Sequence, residues 1–322
     1  MAISVVRYEK KYFDLWNEFL AQCRNTHFLF HRSYMEYHQD RFEDFSLLFF
    51  YRQKLVALLP ANRQGDTLWS HQGLTFGGML FDYSMHAPLM LRIWEKLPDF
   101  LEKHGFKKLI YKALPYIFHS VPSQEDLYAL VKEGAVLQKR ELSTVIDLQN
   151  YKIQKRRRKY LNRLSRENFH IDTSRDFAPF WQILDEQLFK RHRVRPVHSL
   201  KEIQLLAERF PQNILQKVCY DQQNKLLAGV VLYLTPQVVH LQYMVASDEG
   251  LKRRVLNVLM QHLLNEWQSQ KKYLSFGIST EMEGNYLNEG LVNFKESFGG
   301  RSIVHDTYEL ILEQQNSRFL RL

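Results

Sequence analysis

The feature that most constrains this chain is that its second half restates its first. "KLVALL" at Lys54–Leu59 returns as "KLLAGVVL" at Lys225–Leu232. Each closes a hairpin pattern. The first is "SLLFFY" (Ser46–Tyr51), the turn "RQK", and "LVALLPA" (Leu55–Ala61). The second is "LQKVCY" (Leu215–Tyr220), the turn "DQQNK", and "LLAGVVLYL" (Leu226–Leu234). Apolar runs broken by polar turns read as paired strands. Next, "HQGLTFGGMLFD", the apolar helix "PLMLRIWEKLPDFLEKHG" and the strand "KKLIYKAL" are answered by "VVHLQYMVASDEG", "RRVLNVLMQHLLNEWQSQ" and "KKYLSFGI". Both helices carry apolar residues at helical spacing, and Gly105 is placed to close the first as a C′ glycine. The halves end alike, on "LYALVKEGAVLQKRELSTVIDL" and "LVNFKESFGGRSIVHDTYELIL", with Lys132-Glu133 opposite Lys295-Glu296. A period of roughly 165–170 residues is too long for a solenoid and implies two copies of one domain. The expected division is 1–148 and 149–322. Strand–helix–strand connections require a right-handed crossover and a parallel pair inside a mixed sheet. The expected fold is therefore α/β: two tandem domains, each with a mixed, mostly antiparallel sheet and flanking helices.

The joint between the halves is strongly basic. In "YKIQKRRRKYLNRLSREN" (151–168), Lys152, Lys155, Arg156, Arg157, Arg158, Lys159, Arg163 and Arg166 precede the first acidic residue, Glu167. Ile153, Tyr160, Leu161 and Leu164 recur at helical spacing, so the expectation is an amphipathic helix with one cationic face. Such a face is either simply solvated or meets phosphates. The chain as a whole carries a formal charge of +9, which favours anionic partners without by itself marking nucleic acid. A second cluster, "FKRHRVRPVHS" (Phe189–Ser199), places Arg191, His192, Arg193, Arg195 and His198 in a loop. The Ser199/Glu202 capping box opens the helix that follows. That loop reads as a lid or substrate loop. His192 and His198 lack a helical metal-ligand spacing, and Cys23 and Cys219 form neither a zinc pattern nor a disulfide framework. No metal is expected. With no signal-peptide core and no apolar run long enough to span a bilayer, the expected location is the cytoplasm.

A hairpin, strand, helix and strand followed by a helix ending "FKESFGG" resembles the GNAT acyltransferase superfamily. The likeness is greatest to its tandem-domain branch, which includes the Fem-type peptidyltransferases. The residues carrying the resemblance are "KIQKRRRKYLNRLSREN", "KLLAGVVLYL", "VVHLQYMVAS" and "GLVNFKESFGG". The first half joins it only through the repeat and is expected to be a degenerate copy. The resemblance implies transfer of an acyl group from a thioester, acyl-CoA or an acyl carrier protein, to a small-molecule or peptide amine. Fem-type relatives instead use aminoacyl-tRNA as peptidyltransferases in cell-wall synthesis, and a non-catalytic binding module that kept the fold is the other alternative. It also implies that "HLQYMVAS" and "YLSFGIST" splay apart, freeing backbone N–H groups to stabilise a developing oxyanion. The glycine-rich pyrophosphate loop of simple GNAT enzymes is replaced here by "SDEGLKRRVLN", in which Lys252, Arg253 and Arg254 stand as charges. Arg156, Arg158 and Lys295 are the other candidate donor contacts. The basic helix is also a candidate for tRNA or anionic lipid.

Strict alternation along the Tyr243 strand puts His240, Gln242 and Met244 on one face and Leu241, Tyr243 and Val245 on the other. Tyr243 is the candidate acid for the leaving thiolate and His240 a candidate base. Glu281 is the first choice for the carboxylate that accepts the amine proton. It lies in the polar run "STEMEGNYLNEG" at the end of the second splayed strand, where open α/β sheets place sites. Asn285, Asn288, His192, His198, Gln72 and Phe76 complete the candidate substrate contacts, the last two as part of an acceptor wall in "SHQGLTFGGMLFDY". Each also has a purely structural reading: a core network for Tyr243 and His240, a cap for Ser279 or Glu281, and a surface ion pair for Lys295.

Overall fold

A computed structural model describes residues 3–164 and 167–312. The chain forms two compact units: one runs up to Glu141 and resumes at Val304, and the other is Leu142–Ile303. The division expected from the sequence, 1–148 and 149–322, falls at other positions than these units. The strands Val136–Asp147 and Arg301–Ile311 each run from one unit into the other.

In the first unit, β1 (Leu47–Tyr51) and β2 (Lys54–Leu59) pair antiparallel, as the hairpin pattern predicts. Arg52 and Gln53 make the turn, both at positive φ, the conformation whose twist matches two paired strands. β3 (Thr67–Trp69) and β4 (Lys108–Lys112) are parallel, joined by the helix α1 (Ala87–Lys103). Ile93, Trp94 and Leu97 of α1 are buried against Leu47, Phe49, Leu59 and Leu109. The stretch 71–78, which the sequence comparison set against a strand, is loop. Gln72 hydrogen-bonds Gln64 and Asn62, and Phe76 is buried against His27, Phe118 and His305. Phe76 is thus a core residue and offers no wall to a ligand.

After α2 (Glu125–Lys132), β5 (Val136–Asp147) carries the chain across the boundary. On α2, Asp126 is buried and accepts a short hydrogen bond from the Tyr111 hydroxyl, which in turn accepts from the Met79 N–H. Burial raises the Asp126 carboxyl from 3.8 to about 6. The folded protein therefore keeps a proton that the unfolded chain has shed between those values, so stability falls as pH rises through that window. Asp126→Asn retains an acceptor for Tyr111 and should remove this slope. Urea melts of both proteins across the window would show it, and parallel curves would refute it.

The second unit begins with α3 (Lys155–Leu164), followed by β6 (His170–Ser174), α4 (Ala178–His192), α5 (Leu200–Arg209), β7 (Ile214–Tyr220), β8 (Leu226–Leu234) and β9 (Val238–Ala246). Then come the short α6 (Asp248–Lys252), α7 (Val255–Trp267), β10 (Tyr273–Ile278) and α8 (Glu289–Ser297). Its sheet runs β5-β10-β9-β8-β7-β6, antiparallel except for the β9–β10 pair. Leu259, Met260, Leu263 and Leu264 of α7 pack on Val230, Leu232, Val239, Leu241 and Leu274. The final strand β11 (Arg301–Ile311) returns the chain to the first unit, pairing antiparallel with β4. No helix among the described residues is long and apolar enough to cross a membrane.

Candidate active site

β9 and β10 pair only at Val238–Tyr273, Val239–Leu274 and His240–Ser275, and then part. Two devices hold them apart. On β10, the ladder with β5 breaks between Ser275 and Ile278, with Gly277 at φ +74°. The freed carbonyls of Gly277 and Ile278 accept from Lys295 Nζ at 2.9 and 2.7 Å, and Ser279 Oγ takes a third bond at 2.7 Å. Lys295 is 4% exposed, and burial lowers its ammonium to about 8. Three acceptors still favour the proton, so it is a charged strap at neutral pH. Its charge is engaged by the protein's own backbone and not held out for a donor phosphate.

On β9, Val231 faces Tyr243 while Leu232 faces Leu241, so Gln242 is an extra, bulged residue. The bulge overturns the expected alternation. Directly opposed residues share a face, so His240, Tyr243 and Val245 lie on the face of Tyr233, Val231 and Gly229. Leu241 and Met244 turn to the α7 core. Tyr243 and His240, expected on opposite faces, are brought to the same one. α4 covers that face. Phe180 lies against Gly229, where an added Cβ would meet its ring at 2.5 Å, and Trp181 packs edge-on to Tyr243.

Tyr243 Oη is 2.6 Å from His198 Nδ1 and also accepts from the His198 backbone N–H at 3.4 Å. The phenol and the imidazole thus share one proton across this contact. Burial pushes the phenol up to about 12, so Tyr243 is a proton donor at neutral pH and no base. His240 Nδ1 is 3.1 Å from Ser275 Oγ, across the last paired rung.

A cationic pocket of about 760 Å³ lies beside the first turn of α7, lined by Arg156, Arg157, Lys159, Arg163, Tyr160 and Arg254 among others. Arg157 builds it: Nε donates to Ser297 Oγ at 2.8 Å, and Nη1 makes a short bond to Asn257 Oδ1. The "FKESFGG" element thus seats the basic helix. Gln154 N–H donates to the Ser297 carbonyl, and Gly299, at φ +97°, lets the chain pass the Lys152 backbone, which an added Cβ would meet at 3.0 Å. α3 has no acidic residue in its first turn. Its cations there oppose the helix dipole and one another, a cost that a bound anion would relieve.

The remaining expected residues are placed as follows. Arg254, in the left-handed conformation before α7, lines the pocket. Arg253 is committed to Glu167, Asp221 and Glu249 and lies over Phe169. Lys252 and Arg158 are exposed on the surface. Glu281 is exposed on a two-residue strand, its Oε1 accepting from Asn288 Nδ2 at 2.9 Å. Asn288 also caps α8, and Asn285 bonds the Met282 carbonyl within the turn. His192 is exposed at the end of α4. Among the described residues no group of three or more His, Cys, Asp or Glu side chains is disposed to hold a metal.

No protein-family profile matches the sequence, and no curated protein matches it by sequence. Its fold does have relatives. FemX superposes with a TM-score of 0.64 at 8% identity, covering 99% of this chain and 100% of that one. L-PGS from Bacillus licheniformis gives 0.61 at 16% identity, over 96% and 93%. The C-terminal domain of a putative lysylphosphatidylglycerol synthetase from Agrobacterium fabrum gives 0.54 at 14%, over 82% and 83%. The chain shares its fold with FemX and L-PGS.

Proposed function

We propose that the chain is an acyltransferase in which an amine attacks an acyl group carried by a phosphate-bearing thioester donor of acyl-CoA or carrier-protein type. The observation that carries this is the parting of β9 and β10 after His240–Ser275. Among the described residues it leaves Leu241–Ala246 without a strand partner on that side, so that main-chain N–H groups can meet a carbonyl oxygen as it gains charge. The amine nitrogen forms the C–N bond, the C–S bond breaks, the sulfur takes one proton and the amine loses one. Tyr243 gives its proton to the sulfur, and His198 sits to replace it. His240 or Glu281 receives the amine proton. The donor phosphates lie against α3 and Arg254.

A second donor, aminoacyl-tRNA, is supported by a specific observation. α6 and Arg254 stand where a glycine loop would admit a pyrophosphate, and six of the ten residues of α3 are basic. In that reading an ester C–O bond breaks and the ribose hydroxyl takes the proton. The names of the relatives, FemX and lysylphosphatidylglycerol synthetase, are in keeping with it.

The test is a comparison of melting shifts with acetyl-CoA, longer acyl-CoAs and charged tRNA, followed by turnover with whichever donor binds. Tyr243→Phe should lower kcat by about 10²- to 10⁴-fold with KM little changed. Full activity in both Tyr243→Phe and Glu281→Gln would remove the site assignment. No shift with any donor would remove the reading itself.

A further inference from the structure

We propose that the segment Phe189–Val197 docks on the surface of an anionic lipid bilayer. Three large apolar side chains stand exposed there: Phe189 at 45%, Val194 at 51% and Val197 at 78%. They alternate with Lys190, Arg191, His192, Arg193 and Arg195. Cations in the last turn of α4 are expected, since they oppose the negative end of the helix dipole. That accounts for Lys190, Arg191 and His192, and leaves two exposed valines beyond the helix unexplained.

The backbone is built to present them. Arg193 adopts the left-handed conformation, φ 58°, and ends α4 abruptly. Arg195 pairs with Asp185, and the Arg193 and Arg195 guanidinia lie 5.3 and 5.1 Å from the centre of the Phe189 ring. At the far end His198 is buried, held by Tyr243 and by Trp181 Nε1, which donates to its carbonyl at 3.2 Å. Ser199 then caps α5. The loop is anchored at both ends and carries its valines outward between cations.

Cations alone would suit RNA as well as lipid. Base stacking, however, needs an open aromatic face. Phe189 already lies against two guanidinia, and valine offers no such face. A bilayer interface takes both parts, because apolar side chains enter the acyl boundary while arginines meet anionic headgroups. Through His198 the docked loop ends on Tyr243, which would set the site at the lipid surface.

The test uses the full chain and vesicles of phosphatidylglycerol with phosphatidylcholine, against phosphatidylcholine alone. Sedimentation should show binding to the anionic vesicles only. Val194→Ser with Val197→Ser, and separately Arg191→Ser with Arg193→Ser, should each weaken it roughly tenfold, with melting temperatures within about 2 °C of the parent. In Val197→Trp, the fluorescence should shift to the blue on anionic vesicles. Bulk tRNA should bind the valine variant as well as the parent. Failure of the parent to sediment, equal binding by the valine variant, or loss of tRNA binding on valine replacement would each overturn the proposal. All these readouts are independent of turnover, so they stand or fall apart from the acyltransferase reading.

Discussion

Reversing Arg156, Lys159 and Arg163 to glutamate should abolish donor binding while leaving the protein as stable as before, or more so. All three line the pocket beside α7. A hydrogen bond to a charged group contributes about 1.5–3 kcal/mol, so losing three of them and adding three repulsions should weaken a phosphate-bearing donor by at least about 10³-fold. Stability should move the other way. Arg156 lies in the first turn of α3, which holds no acid, and a carboxylate there complements the helix dipole by about 0.3–1 kcal/mol. Arg157 is left intact because it binds Ser297 and Asn257. Titration calorimetry with the donor and a thermal melt would decide the matter. Unchanged affinity would dismiss the pocket, and a collapsed melting temperature would make α3 a structural helix only.

Replacing Lys295 with methionine should cost about 3–5 kcal/mol of stability and lower activity through the fold. Methionine keeps the length of the stem and removes the three donors. The Gly277 and Ile278 carbonyls and Ser279 Oγ then lose their shared partner, and each buried group left unsatisfied costs about 1–3 kcal/mol. The pH dependence gives a second readout. The folded ammonium sits near 8, below its ordinary 10.5, so between those values the unfolded chain holds the extra proton. Stability of the parent should therefore rise with pH through that window, and the methionine variant should lose this rise. Chemical denaturation at both ends of the window would test it. A variant as stable as the parent would show that β10 keeps its break without the strap.

Much of this was legible in the sequence. The hairpin of β7 and β8, the helix α7 and the crossover to β10 follow from apolar periodicity and turn residues. The basic helix follows from a charge run over an apolar stripe. The face carrying Tyr243 did not follow. A bulge inserts one residue without a composition of its own, and Gln242 is unremarkable among strand residues. The strap could not be read either, since the partners of Lys295 are main-chain carbonyls, and every residue has one. His198 and Tyr243 meet only because α4 and its loop fold over β9. The left-handed Arg193 was equally silent, for nothing local asks for a glycine there.

The return of β11 to the first unit bears on how the chain is made. Thr307 pairs with Lys112 and Ile311 with Lys108, so β4 waits for its neighbour until the distant strand β11 has left the ribosome. During that interval the first unit carries an open sheet edge, the kind of surface that recruits stray strands. Pairing across so long a stretch of chain also slows folding. A nascent chain stalled before β11 would be an unfinished unit with an adhesive margin, and a gene split anywhere between β4 and β11 would part the two strands.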